Sequence, residues 1–246
     1  DPDTLLVHDL PLEEARVSAT IVALPGQLTF FGDKLAGLSE ERMKMLQQTL
    51  PVADVRPVSL YPYFSMLPVW NLRVQNDLLD DYNVVALFNW EDETKSISFT
   101  TGELGIDSDL EYAVYEFWTQ KSFSTMKDNF AMDVPAHSVR LLAVHKVKTV
   151  PQWISSDRHV SQNAMELKEY EWINDTMTLI GKIRLIGSFP LTMRLRLPNN
   201  YSLTKAECIG AKCSSIKEAD NILAVTFKAN KTGDYNFRIK FLPVIL

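Results

Sequence analysis

The chain has 246 residues, 46% of them hydrophobic and 23% charged, with a formal net charge of -6. These are ordinary values for one to three globular domains, far from those of disordered chains, and no apolar run approaches the roughly 18–20 residues of a membrane span. Net negative charge without a cluster of Lys and Arg argues against a polyanion partner such as nucleic acid.

The first stretch reads as α/β. Thr4 to Val7 is a short apolar run of the kind found in buried parallel strands. Leu12 to Leu24 carries helix formers, with Glu13 and Glu14 in the first turn where the helix dipole favours them, and Pro25-Gly26 ends it. Leu28 to Phe31 is a second strand. Ser39 then offers a cap for another helix, Leu38 with Met43 a hydrophobic staple, and Met43, Leu46 and Leu50 an apolar stripe that Pro51 closes. Strand, helix, strand, helix is the unit of a parallel βα fold. Two such units cannot close a barrel of eight strands and about 250 residues.

From about Arg56 the pattern turns to β. Tyr82 to Trp90, Lys95 to Thr100, Glu111 to Trp118 and Ser138 to His145 are rich in β-branched and aromatic residues, separated by turn-like stretches. Thr149 to Gln152 marks a boundary. A second series follows over 165–172, 177–186, 191–197, 223–227 and 235–241. The expected fold is mainly β: two antiparallel β-sandwich modules over 56–148 and 149–246, preceded by a short α/β segment over 1–55.

Few residues point to chemistry. Asp77, Asp80 and Asp81, like Asp107 and Asp109, fall in turns, where Asp bonds the local backbone; a weak Ca²⁺ site is the alternative. Asp33 reads as a structural turn residue. The four histidines, His8, His137, His145 and His159, form no zinc-binding spacing, and no glycine-rich nucleotide motif occurs. No cofactor or metal is expected. Ser155, Ser156, Asp157, Arg158 and His159 read as a hydrogen-bonded contact between modules rather than a catalytic triad. Cys208 and Cys213 are compatible with a disulfide or with two free thiols and leave the compartment open, with a periplasmic or secreted setting favoured. Asn174, Asn200 and Asn230 head Asn-x-Ser/Thr sequons. Among the five tryptophans, Trp90 and Trp118 read as core. Trp70 and Trp153, near prolines in connections, are the candidates for exposed, sugar-stacking faces.

The order of motifs carries a family resemblance. Asp1-Pro2-Asp3-Thr4-Leu5-Leu6, Leu12-Glu13-Glu14-Ala15-Arg16, the strand Leu28 to Phe31 followed by Asp33 and Leu35, and Leu38 to Arg42 together resemble the closing stretch of the catalytic barrel in melibiase-type α-galactosidases. Val84 to Trp90, Leu104 to Ile106, Tyr115 to Trp118 and Val134 to Leu142 resemble the C-terminal β-sandwich of those enzymes. Ser155 to His159 with Glu166 to Lys168 is similar to a further sandwich in some bacterial members. The resemblance implies the C-terminal region of a retaining glycoside hydrolase acting on α-linked oligosaccharides through two carboxylates on barrel strands. Those carboxylates would precede Asp1, so no catalytic residue is assigned and the chain alone is expected to be inert. Asp1 and Asp3 match the rim of the family's active site and join Trp70 and Trp153 as candidate substrate contacts. The alternative is a non-catalytic carbohydrate-binding or assembly module. The α/β segment, incomplete by itself, is expected to pack on the adjoining sandwich or to pair with another copy.

Overall fold

The computed structural model describes residues 4–26, 28–54 and 67–244. The fold is mainly β. Strands β1 (Thr4–Leu5) and β2 (Phe30–Phe31) form a parallel pair, with helix α1 (Leu12–Ala23) between them and helix α2 (Glu40–Gln47) after. Ser39 caps α2, its Oγ accepting from the Arg42 amide at 3.3 Å. The helix stops at Gln47, so Leu50 falls beyond it and is exposed, while Met45 joins Leu46 as the buried face. The stripe expected through Met43 and Leu50 is displaced for that reason.

Next comes an antiparallel sheet of five strands, in the order β3 (Val69–Asn76), β4 (Leu79–Asn89), β9 (Ser138–Lys146), β6 (Tyr112–Glu116), β7 (Lys121–Ser122). A two-stranded ladder of β5 (Lys95–Thr100) and β8 (Asn129–Val134) covers one face. Helix α3 (Thr101–Leu104) follows β5, closed by a capping box between Thr100 and Glu103 and by Gly105 at φ 70°. A left-handed C-terminal residue of this kind favours glycine.

The centre of this sheet explains a peculiarity of the sequence. Antiparallel strands with one wet face alternate apolar and polar residues, whereas Val84 to Phe88 and Val139 to Val144 are nearly continuous apolar runs. Every residue of β4 from Tyr82 to Asn89 and of β9 from Ser138 to His145 is buried. Val85, Leu87, Leu142 and Val144 face the β5–β8 ladder. Val84, Ala86, Phe88, Val139 and Leu141 face a second core that includes α1.

Helix α1 meets that second face through Ala15, Ala19, Val22 and Ala23, the i, i+4, i+7, i+8 stripe of an amphipathic helix. Small residues let it approach closely. Trp118 Nε1 donates to Thr20 Oγ1 at 3.1 Å, and Arg140 pairs with Glu13 at 2.7 Å. The α/β segment therefore packs on the adjoining sandwich, one of the two outcomes expected for it.

The last unit is a sandwich of two four-stranded antiparallel sheets. One is ordered β10 (Gln152–Ser156), β13 (Leu191–Arg196), β16 (Ile222–Lys228), β15 (Lys212–Lys217). The other is ordered β11 (Leu167–Ile173), β12 (Thr178–Leu185), β17 (Gly233–Pro243), β14 (Tyr201–Cys208). Met193, Leu195, Val225 and Phe227 of the first meet Leu179, Ile183, Phe237 and Ile239 of the second. Gly181 lies where a Cβ would run into the Glu169 carbonyl oxygen and the Phe237 ring. Cys208 and Cys213 are free thiols.

Close packing of α1 on β9 yields a test. Ala19→Leu inserts three carbons where Ala19 has no exposure, and overpacking of this kind costs about 1–3 kcal/mol. Urea unfolding should show the loss, and limited proteolysis should show earlier cleavage within residues 4–54.

Candidate functional site

All three units meet at one loop, residues 157–166, between β10 and β11. Seven of its ten residues, Asp-Arg-His-Val-Ser-Gln-Asn-Ala-Met-Glu, are polar, yet His159, Val160, Ser161, Gln162, Ala164 and Glu166 are buried. Buried polar groups need partners, and distant elements supply them. Asp157 accepts from the Thr192 amide at 2.8 Å and pairs with Lys44 of α2 at 3.0 Å. The Val160 amide donates to the Gln48 carbonyl at 2.9 Å, and Gln48 Nε2 returns a bond to the Asp157 carbonyl at 3.1 Å. From the first sandwich, Tyr82 Oη donates to the Gln162 carbonyl at 2.5 Å and Asn76 Nδ2 to the Asn163 carbonyl at 3.1 Å. Ser155 Oγ donates to Gln162 Oε1 at 2.7 Å.

Gln162 and Ala164 hold φ of 47° and 54°, a left-handed conformation that costs a non-glycine residue energy and persists where surroundings over-determine it. Here three elements pin the loop. The contact between modules expected at Ser155 to His159 is present, and it extends through Glu166.

Two carboxyl side chains are buried among the described residues, Glu116 and Glu166. Glu116 is saturated by its own turn. Its oxygens accept from the amides of Trp118 at 3.0 Å, Leu141 at 3.1 Å and Thr119 at 2.5 Å, and from the Thr119 hydroxyl. Glu166 is different. Burial holds its carboxyl above the usual range, against the opposing pull of the Ser156 hydroxyl and the Arg158 charge. Its Oε1 has no hydrogen-bond partner in the protein.

Two buried imidazoles flank the loop. Burial pushes His159 down to about 4, the Thr49 and Pro51 backbone offsetting part of the fall. Its Nδ1 accepts from the Ser161 amide at 3.0 Å. Burial pushes His145 down to about 3, partly offset by the Ile154 backbone. The His145 ring stacks on Tyr82 with centroids 4.0 Å apart and stands edge-on to Trp153 at 5.5 Å. Beyond this trio a small cleft opens to solvent between the two sandwiches, with Tyr170 and Trp172 among its walls.

The expectation that Trp153 presents an exposed face is corrected by the structure. It is 2% exposed, because Gln152–Ser156 forms strand β10 rather than a connection and the indole points into the core. Trp70 is half-buried on β3, edge-on to Phe88 with centroids 4.9 Å apart. Asp1 and Asp3 lie outside the described residues. Asp33 accepts from the amides of Val7 and His8 at 2.7 and 3.3 Å, tying the end of β1 to the turn after β2. Asp107 makes a local turn with the Asp109 amide at 2.8 Å. Tyr82, His145, Gln162 and Glu166 were missed as junction residues; a buried-strand start at Tyr82 was the available signal.

The buried titrating groups set the pH response. Between about pH 6.5 and 4 the unfolded chain protonates both histidines while the folded chain keeps them neutral, so the unfolded state binds more protons and stability falls as pH drops. Each histidine contributes about 1.4 kcal/mol per pH unit in that window. Glu166 acts oppositely. Above about pH 4.5 the unfolded carboxyl ionises while the folded one holds its proton, so stability is lost as pH rises through that window. Two histidines outweigh one carboxyl, and urea midpoints should decline from pH 7 to 5. Glu166→Gln should raise the midpoint at pH 7 and make no difference at pH 4; equal effects at both would contradict the assignment.

Residues 68–144, the first sandwich, match the family described as the alpha galactosidase C-terminal beta sandwich domain. No curated protein matches the chain. Among solved structures, α-galactosidase I from Mortierella vinacea is 21% identical over 58% of this chain and 38% of its own, with a TM-score of 0.46. A GH27 β-L-arabinopyranosidase from Geobacillus stearothermophilus is 18% identical over 56% and 31%, with a TM-score of 0.45. An α-galactosidase from Saccharomyces cerevisiae is 12% identical over 58% and 45%, with a TM-score of 0.43. The chain thus spans less than half the length of each. Through its first sandwich, this chain is similar to the C-terminal region of melibiase-type α-galactosidase-like glycoside hydrolases.

Proposed function

We propose that this chain is the C-terminal part of a retaining α-galactosidase-like hydrolase of α-linked oligosaccharides, in which the sandwiches buttress the barrel and take no part in bond cleavage. The family match over 68–144 supports the parent class. The observation that carries the further step is the surface of the α/β segment. Its parallel pair has two residues per strand, and Leu6, Leu28 and Phe30 beside it are 50%, 67% and 55% exposed. Parallel strands are normally covered on both faces, and clustered exposed apolar side chains mark a surface made for a partner. Further strands of the same sheet would cover them.

Retaining hydrolysis needs a nucleophile and an acid/base carboxyl about 5–5.5 Å apart across the sugar. The two buried carboxyls described do not supply it: Glu116 is consumed by its turn, and Glu166 is enclosed at a junction. Accordingly the chain alone should show no turnover of a nitrophenyl α-galactoside above buffer. Co-expression with the residues encoded before Asp1 should give turnover. Hydrolysis by the purified chain that disappears in Glu166→Gln would overturn the proposal.

A further inference from the structure

Cys208 and Cys213, the two cysteines of the chain, lie at an open side of the second sandwich. Strands β14 and β15 stand at the ends of their respective sheets, and the chain passes from one sheet to the other through Ile209, Gly210 and Ala211. Gly210, at φ 79°, allows so short a reversal. Residues opposite one another on antiparallel strands share a face of the sheet. Cys208 stands opposite Phe237 and Cys213 opposite Phe227, and those two rings meet between the sheets with centroids 5.7 Å apart. Both cysteines are half-buried and pack against the shared core. The two thiols therefore face each other across the sandwich. They are near enough that Cys213 adds to the effect of burial on Cys208, whose thiol is pushed up to about 11. Burial raises Cys213 as well, with the Glu207 carboxylate adding to it.

We propose that Cys208 and Cys213 form a disulfide clasp that ties the free edges of the two sheets together under oxidising conditions, the free thiols being its reduced form. A disulfide needs two Cβ atoms facing each other at short range, which the tight turn and the facing phenylalanines provide. The surroundings say which kind of disulfide it is. Catalytic and redox-sensing cysteines sit in electropositive sites that favour the thiolate, and labile disulfides arise where the reduced form is stabilised in that way. Here the neighbours are two aromatic rings and a carboxylate, so the reduced pair gains nothing to set against the bond. The clasp is structural. Edge strands carry unpaired backbone groups that invite pairing with other chains, and one covalent tie restrains both β14 and β15. Closure takes two exchanges with a small disulfide such as oxidised glutathione. One cysteine thiolate attacks a glutathione sulfur, forming a mixed disulfide and releasing one glutathione. The other cysteine then attacks the cysteine sulfur of that mixed disulfide and releases the second. Two protons and two electrons leave the cysteine pair, and the glutathione disulfide departs as two thiols. The clasp belongs to the second sandwich and does not depend on the hydrolase proposal.

The whole chain is equilibrated with mixtures of reduced and oxidised glutathione at mildly alkaline pH, once folded and once in concentrated urea, then quenched with acid and weighed by mass spectrometry. The folded chain should lose the mass of two hydrogens and carry no glutathione. It should hold the bond about tenfold or more strongly than the unfolded chain, because the fold presents the two thiols to each other. By linkage the same factor must appear as added stability of the oxidised chain, about 1.4 kcal/mol for each tenfold, read as a higher urea midpoint. Cys208→Ser and Cys213→Ser should each abolish the effect of oxidised glutathione on that midpoint. The proposal fails if the folded chain takes up glutathione without closing, if it stays reduced where the unfolded chain closes, or if it holds the bond no more strongly than the unfolded chain does.

Discussion

A central antiparallel sheet buried on both faces is the constraint on which this molecule depends. Strands β4 and β9 present apolar side chains to each side, and a sheet so built must be covered twice. The β5–β8 ladder covers one face within the module. The other needs a helix or sheet from elsewhere, and α1 meets the need with an alanine stripe that brings its backbone close. Burial at about 25 cal/mol per Å² of apolar surface makes leaving that face bare prohibitive. The α/β segment is thus part of the core of the first sandwich rather than an appendage to it.

The same logic extends to the second sandwich. One core runs from Leu5 and Ala19 through Val84 and Leu141 to Trp153, Leu195 and Phe241. At the junction, the loop 157–166 spends its polar groups on partners from all three units. At the far side Arg194 reaches from β13 to Gln120 at 2.6 Å and lies over the Tyr115 ring at 5.4 Å. Buried charge and hydrogen bonds at such a junction fix the relative orientation of the units at little net gain in stability.

Much of the architecture was legible because local chemistry and tertiary role agree. The continuous run Val84 to Phe88, the Ser39 cap, and the acids opening α1 each mean in the fold what they mean in the chain. Strands β3, β8, β14 and β15 were not expected; an edge strand such as Lys212–Lys217 carries too few apolar residues to show a period. The junction was least legible. Ser155 to Asn163 reads as a wet loop, and its burial follows from Gln48, Asn76 and Tyr82, residues about 80 to 110 positions away. Trp153 was misjudged for a related reason: a proline two residues earlier suggested a connection, whereas β10 pairs with β13 and turns the indole inward.

Hydrogen exchange followed by mass spectrometry tests the central claim, that the three units share one core and unfold together, most directly. Amides of α1, of β4 and β9, of the loop 157–166, and of β13 and β16 should exchange with a common free energy close to that of global unfolding. A segment 4–54 that exchanges rapidly while both sandwiches remain protected would contradict the account, since β4 and β9 would then be stable with one face uncovered.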